Sequence, residues 1–472
     1  MANRKLVAGV DSSTQSSKVV IRDAASGELI RQGRASHPDG TEVDPIHWAN
    51  ALTAAIKDAG GIDDVDAISV GGQQHGMVAM DANGKVIRPA LLWNDTRSAK
   101  AAADLNSELG GDAKTAEQVG SVLVAAFTAP KLRWLADNEK ENAAKVRAVA
   151  LPHDWVSWQL TGGKDLEKLF TDRSDASGTG YFDPTTSQYR KDILGLALRT
   201  KEEIFVPKIV TPSSFGATTT SGIKIAAGAG DNAAAALGIQ AQPGDVVVSL
   251  GTSGTAFAVS DAPTHDPSAA VAGFADATGR FLPLVCTLNA ARILDAATRI
   301  LGKSHAQIGE LALTSVPGAN GLTLLPYFEG ERTPNRPTAT GAFSGMNLNN
   351  SNPADIARAM VEGMLCGLVD AVDALSQLGV GVKRILLIGG AAKNPAIASI
   401  ASGLFGHEVL VPPPGEYVAD GAARQAAWAL LGTENAPVWD LGKIESVTSK
   451  PTPDVVEKYR TLRDRTVSWD SK

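Results

Sequence analysis

The 472 residues offer about three domain-lengths, and 44% hydrophobic with 20% charged residues is the ordinary mixture of a soluble globular protein. A net charge of −7 without a basic stripe argues against nucleic acid as a partner, and no run of about 18 apolar residues is present to span a membrane. Two cysteines, Cys286 and Cys366, sit in apolar surroundings and read as buried thiols of a reducing compartment; the amino terminus MANRKLVAGVD has too short an apolar core for a signal peptide, so a cytoplasmic protein is expected.

Leu6 to Val10 reads as a short apolar strand that stops at Asp11, crosses SSTQSS and resumes from Lys18 to Ile21. The turn from Ser12 to Ser16 offers hydroxyls and backbone N–H groups, which can hold phosphate oxygens; a polar hairpin tip is the plainer alternative. The pattern returns later: a strand from Val246 to Leu250, a small polar turn from Gly251 to Thr255, and a strand again from Ala256 to Ser260. Two such units suggest an internal duplication, and two such tips facing each other could clamp a nucleotide's phosphates.

Between them, WANALTAAIKDAG predicts a helix, and the strand AISVGG runs into GQQHG. Gln73, Gln74 and His75 follow a strand end, where α/β proteins place ligand groups. Amide and imidazole groups both donate and accept, which suits sugar hydroxyls; a structural histidine is the alternative. In PALLWNDTRS, Trp93 offers a flat apolar face to a substrate, while Asp95 and Arg97 can pair with each other. Residues 98–160 alternate amphipathic helices and short loops, with Trp134, Trp155 and Trp158 expected in the core. From Leu169 to Asp183, Asp172, Ser174 and Asp175 read as site groups or as turn formers.

The stretch KIAAGAGDNAAAALG ends an apolar run in a glycine-rich turn and presents Asp231 where a helix begins, followed by Asn232. A carboxylate there is favoured by the helix dipole and by unpaired N–H groups, so an N-cap is one reading. A general base at the floor of a cleft is the other.

In the second half, GKS at Gly302 to Ser304 lacks the earlier glycine of a phosphate loop, since that position is Ala297. Neither a GxSxG elbow nor an HExxH motif occurs. The loop EGERTPNRP carries Glu329, Glu331 and Arg332 between prolines, and a long helix follows Asn352. A buried strand then ends in Gly389, Gly390, Ala391 and Ala392 before another helix, a junction that could let a planar ligand lie against the backbone or serve tight packing alone. The best domain break is near 240–246. From about 436 the tail is polar and ends in a surface helix, for which pairing with a second subunit as a homodimer and packing on its own domain are both open.

Over about residues 5–432 the chain resembles the FGGY family of carbohydrate kinases. PKLRWL from Pro130 to Leu135, GAFSGMNLNNSNPADIARAMVE from Gly341 to Glu362, and YFEGERTP carry the resemblance, and GQQHG with WNDTR and TDRSDASGTGYFD is most similar to the xylulokinase branch. The resemblance implies an α/β protein of two actin-like (ribonuclease-H-like) domains with a nucleotide and sugar cleft between them. These would be a sugar-binding domain over 1–243, a nucleotide-binding domain over 244–435, and the tail over 436–472. It implies ATP-dependent phosphorylation of a ketopentose, D-xylulose first, at a primary hydroxyl. Another polyol such as ribulose, glycerol or gluconate stays open, as does a non-kinase actin-like ATPase. By the same resemblance Asp231 is the base and Asn232 helps hold the sugar, with Gln74 and His75 on its hydroxyls. Asp11 positions Mg2+, Thr14, Gly251, Thr252 and Ser253 meet the phosphates of ATP, and Gly390 and Asn394 lie by the adenosine. One departure is Ser13, which stands where the family usually has a glycine.

Overall fold

The computed structural model describes residues 4–470; Met1 to Asn3, part of the stretch read for a signal peptide, lie outside them. The chain forms two compact units, each gathered from separated segments. The first takes the residues through Ala241 with Asp261–Pro283 and Gly415–Asp440; the second takes Gln242–Ser260, Leu284–Pro414 and the described residues from Leu441 onward. The first change of unit falls between Ala241 and Gln242, and the chain later returns to the first unit twice, at Asp261–Pro283 and at Gly415–Asp440.

The first sheet contains β1 (Leu6–Ser12), β2 (Ser16–Asp23), β3 (Leu29–Ser36), β4 (Ala67–Gly72), β5 (Phe215–Thr218), β6 (Lys224–Ala226) and β7 (Ala229–Gly230). Its order is β5–β6–β4–β1–β2–β3, with β7 also paired to β4. Strands β1, β2 and β3 are antiparallel neighbours, β1, β4 and β6 run parallel, and β5 closes the edge antiparallel. The central strand is apolar on both faces because helices cover both sides. Ala8 and Val10 pack with Trp48, Leu52 and Ala55 of the helix Ile46–Asp58. Val7 packs with Ala419, Ala423 and Ala426 of the helix Tyr417–Leu431. That second helix comes so close that a Cβ on Gly9 would stand 1.9 Å from the Ala419 carbonyl. The fit explains why a segment near the end of the chain belongs to the first unit.

In the second sheet, β8 (Asp245–Leu250), β9 (Gly254–Ala258), β10 (Phe281–Thr287), β11 (Arg384–Ile388), β12 (Glu408–Val411) and β13 (Glu445–Val447) lie in the order β10–β9–β8–β11–β12–β13, and all but the first three residues of β10 belong to the second unit. Three antiparallel strands, two further parallel ones and an antiparallel edge repeat the plan of the first sheet. This is the duplication that the two hairpins suggested, in the actin-like α/β architecture that the family resemblance implied.

Local chemistry accounts for several stretches. GKS is punctuation: Gly302 closes one helix at φ +62°, and Ser304 caps the next by accepting from the Gln307 N–H. Trp155 and Trp158 are buried as expected. Trp134 is only half-buried and carries the guanidinium groups of Arg88 and Arg97 at 5.5 and 5.1 Å from its ring, so a cation–π stack stands where core packing was expected. The tail helix, Pro453–Arg465, buries Val455, Val456, Tyr459 and Leu462 in its own unit, and Arg460 donates to Asp370 of the long helix Pro353–Gln377 at 2.8 Å. No helix of the described residues is long and apolar enough to cross a membrane.

Candidate functional site

Parallel pairing gathers the polar strand ends of the first unit at one edge. Asp11 and Ser12 of β1 stand opposite Gly71 and Gly72 of β4, and Ala229 and Gly230 of β7 pair with the same two glycines. The segments that leave these strands are Ser13–Thr14, Gln73–His75 and the helix from Asp231, so three stretches distant in sequence become neighbours. This is where an α/β sheet places its ligand groups.

Asp231 occupies the first turn of the helix Asp231–Gly238, while Gly230 stands at the cap position and supplies no side chain. The Asp231 Oδ1 accepts from the Asn232 backbone N–H at 2.8 Å and from Asn232 Nδ2 at 2.9 Å. Among the described residues Oδ2 has no hydrogen-bond partner. Asp231 is therefore not the N-cap that its position suggested, and Asn232 orients the carboxyl. Burial, opposed by the Asn232 bonds and reinforced by the charge of Asp11, pushes the Asp231 carboxyl up to about 7.

Asp11 is buried; Ser13 Oγ donates to it at 2.6 Å and Lys18 Nζ lies at 3.4 Å, with Lys18 also donating to Glu416 at 2.6 Å. Burial raises the Asp11 carboxyl, and Lys18 pulls it part of the way back. Ser13 replaces the expected glycine without a left-handed backbone, because its N–H closes the turn onto the Ser16 carbonyl at 3.0 Å. Thr14 Oγ1 accepts from Trp93 Nε1 at 3.0 Å, which ties one expected phosphate contact to one expected sugar contact.

His75 is held on every side. Its backbone is left-handed at φ +70°, a conformation that costs a non-glycine residue about 1–3 kcal/mol. Nδ1 donates to the Gly178 carbonyl at 2.7 Å, and the ring packs on Phe127 and Phe274 at 4.8 and 5.5 Å. Gln74 is buried, with Nε2 3.4 Å from the Ser174 carbonyl.

The second unit repeats the device. β8 and β11 are parallel neighbours, so the turn Gly251–Ser253 and the junction Gly389–Gly390 emerge side by side. Gly389 is the glycine this junction requires: its φ is +97°, and a Cβ would stand 2.6 Å from the Leu250 carbonyl. At Gly390 a Cβ would meet nothing within 4 Å. Asn394 caps the helix Pro395–Phe405 through Oδ1, which accepts from the Ala396 N–H at 3.0 Å, while Nδ2 donates to the His305 carbonyl at 3.1 Å. The structure thus brings Asp11, Thr14, Gln74, His75, Trp93, Asp231 and Asn232 together in one unit, and Gly251, Thr252, Ser253, Gly390 and Asn394 in the other.

Three further supports stand beside these residues: Lys18 and His153, to which sequence reasoning gave no role, and Glu331, which it named only as part of a charged loop between prolines. Lys18, on β2, is aimed at Asp11. Glu331 is buried and accepts from the Leu288 N–H at 2.7 Å and from Asn289 at 2.9 Å, and Ala291, two residues on, donates to the Gly251 carbonyl at 2.9 Å. His153 lies between Asp175 and Asp154, its Nδ1 at 2.7 and 3.1 Å from their oxygens. Burial opposes a charge on that imidazole, but the Asp154 and Asp175 carboxylates outweigh it and raise His153 to about 10. The signal available for His153 was its adjacency to an acid in HDW, which periodicity files under core helix.

A divalent ion fits Asp11, a single hard carboxylate at a strand end beside hydroxyls, because Mg2+ takes few protein oxygens and keeps its waters. The group of His153, Asp154 and Asp175, whose ligand atoms lie within 4.8 Å of one another, is fully buried and includes a protonated nitrogen. It does not fit Mg2+.

Comparison with known proteins identifies the family of the chain. The description of the FGGY family of carbohydrate kinases matches residues 6–238 with its N-terminal domain and residues 246–430 with its C-terminal domain. The chain is 41% identical to a xylulose kinase of Streptomyces coelicolor and 40% identical to one of Streptomyces rubiginosus, in each case over 98% of this chain and 95% of the relative. Among solved structures, the xylulose kinase of Bifidobacterium adolescentis superposes with a TM-score of 0.91 at 47% identity, covering 98% of this chain and 99% of that one.

Proposed function

Because this chain belongs to the FGGY family of carbohydrate kinases, we propose that it transfers the γ-phosphoryl group of ATP to a primary hydroxyl of D-xylulose, giving D-xylulose 5-phosphate and ADP. The substrate is inferred from the xylulose kinases of 40–41% identity. The residue roles rest on the strand-end geometry.

The observation that carries the catalytic assignment is the Asp231 carboxyl, with Oδ1 held by Asn232 and Oδ2 left for a proton. The sugar hydroxyl attacks the γ-phosphorus, Asp231 accepts the hydroxyl proton, and the oxygen bridging the β- and γ-phosphorus atoms leaves with ADP. Such transfer depends on alignment and on stabilising charge more than on covalent chemistry. Gln74, His75 and Asn232 bind sugar hydroxyls, and Trp93 presents a flat face to the sugar carbons. Thr14 and the turn Gly251–Thr252–Ser253 hold phosphate oxygens through hydroxyl and N–H groups, and Gly390 and Asn394 border the adenosine. Asp11 would hold Mg2+, directly or through water, and the ion would supply positive charge to offset that of the phosphate oxygens. A cytoplasmic location is part of this proposal, and the fully buried Cys366 and partly buried Cys286 suit a reducing compartment.

ADP release measured over a panel of D-xylulose, ribulose, glycerol and gluconate, against a blank without sugar, tests the substrate. D-xylulose should give the highest kcat/KM; a higher value for another polyol, or equal release in the blank, overturns the reading. Asp231→Asn should retain sugar binding while turnover falls roughly 10²-fold or more; near-full turnover would remove Asp231 from catalysis.

A further inference from the structure

His153 lies on the helix Pro152–Leu160 and is fully buried. The residue packs against two strand ends, its Cβ and backbone against Gly72 and its ring against Gly228. A Cβ on Gly72 would stand 2.7 Å from the His153 Cβ, and one on Gly228 would stand 2.4 Å from ring atoms Cδ2 and Nε2. Gly72 precedes the Gln73–His75 segment, and Gly228 precedes Asp231. On one side Nδ1 donates to Asp175 Oδ2 at 2.7 Å; on the other Nε2 faces the Ala227 carbonyl at 3.4 Å, a long contact.

Asp175 belongs to the single-turn helix Arg173–Ala176, which Asp172 caps by accepting from the Ser174 and Asp175 N–H groups at 2.8 and 3.0 Å. In that turn Ser174 Oγ accepts from the Gly230 N–H at 3.1 Å, and the Ser174 carbonyl faces Gln74 Nε2. Gly230 is the residue immediately before Asp231. The ring therefore braces the chain leading to the base by contact, and braces it again through Asp175 and Ser174.

We propose that His153 is a positioning residue for phosphoryl transfer, holding the Ala227–Gly230 segment and the Arg173–Ala176 turn so that Asp231 meets the sugar hydroxyl in register. This rests on the reading of Asp231 as the base. His153 Nδ1 stands 2.7 Å from Asp175 and 3.1 Å from Asp154, all three side chains are fully buried, and removing one partner from such a buried group leaves the others uncompensated. That dependence locks the turn in place, and a displacement of about 1 Å at the reacting centre can cost on the order of 10²-fold in rate.

The test is a double-mutant cycle on the full-length enzyme. His153→Gln removes the donor to Asp175, His153→Asn keeps an amide near the Nδ1 position, and Ser174→Ala removes the acceptor for Gly230 without touching a charge. His153→Gln and Ser174→Ala should each lower kcat roughly 10- to 100-fold with the KM for ATP unchanged, and His153→Asn should recover part of the loss. In an Asp231→Asn background the same changes should cost less than about 2-fold more, since they act through the group already removed. Ser174→Ala carries the test alone if the His153 variants do not fold. The inference fails if Ser174→Ala and the folded His153 variants keep wild-type kcat, or if they cost as much without Asp231 as with it. It also fails if the purified protein holds a stoichiometric metal that His153→Gln releases. Should Asp231→Asn itself keep full turnover, the base reading falls first and takes the inference with it, a result distinct from the others.

Discussion

At the scale of the residue, the proposed chemistry turns on where one carboxyl is held. An acid next to two fixed donors would ionise easily, yet burial and the nearby Asp11 bring Asp231 to about 7. A base works only when deprotonated. With the folded value raised from the ordinary carboxylate range, the active form is present above pH 7 and is lost as the pH falls through it. The kcat/KM of the free enzyme should therefore decline on the acid side with an apparent midpoint near 7, and Asp231→Glu should move that midpoint while Lys57→Gln, on a distant exposed helix end, should not. A flat profile down to pH 5 would contradict the assignment. His75 belongs to the same scale. Its ring is locked by Gly178, Phe127 and Phe274, so His75→Ala should raise the KM for D-xylulose about 10-fold or more and leave the KM for ATP nearly unchanged; equal losses would argue against a sugar contact.

At the scale of the element, small residues let helices approach until backbones touch. A Cβ on Gly421 would stand 1.8 Å from the Ala234 carbonyl, and one on Gly238 2.1 Å from the Tyr417 carbonyl. The helix Tyr417–Leu431 thus presses directly on the helix that Asp231 begins. Gly421→Ala forces them apart, which for an overpacked core costs about 1–3 kcal/mol. The expected result is a lower urea midpoint together with reduced turnover, because the displaced helix carries the proposed base. Loss of stability with turnover intact would show that the crossing does not set the position of Asp231. Gly9, which meets the same helix through β1, provides a parallel case farther from the reaction.

At the scale of the whole molecule, duplication supplies two strand-end sites of one design, and the proposed function gives one to each substrate. Ligands that bind the folded form stabilise what they bind, by about 2.7 kcal/mol at a hundred times Kd. Hydrogen exchange should therefore separate the units. D-xylulose alone should slow exchange near Gln74, His75 and Asn232, and Mg–ADP alone should slow it near Gly251–Ser253 and Gly389–Ala392. Protection of both regions by the sugar alone would mean that the roles of the units are not divided as proposed.

Much of this was legible in the sequence because it is local. The strand ends near Asp11, Gly72 and Leu250, the polar turns that follow them, and the helix opening at Asp231 are all set by hydrophobic runs and the residues that interrupt them. What only the tertiary structure decided depends on contacts between distant stretches. The return of Tyr417–Leu431 to the first sheet follows from how Gly9, Gly238 and Gly421 fit against neighbouring backbones, and a glycine in sequence does not say what it faces. The pairing of His153 with Asp175 joins two segments that look, each by itself, like a core helix and an ordinary turn. Periodicity records which way a side chain points along its own element, and it holds no record of the charge waiting on the next one.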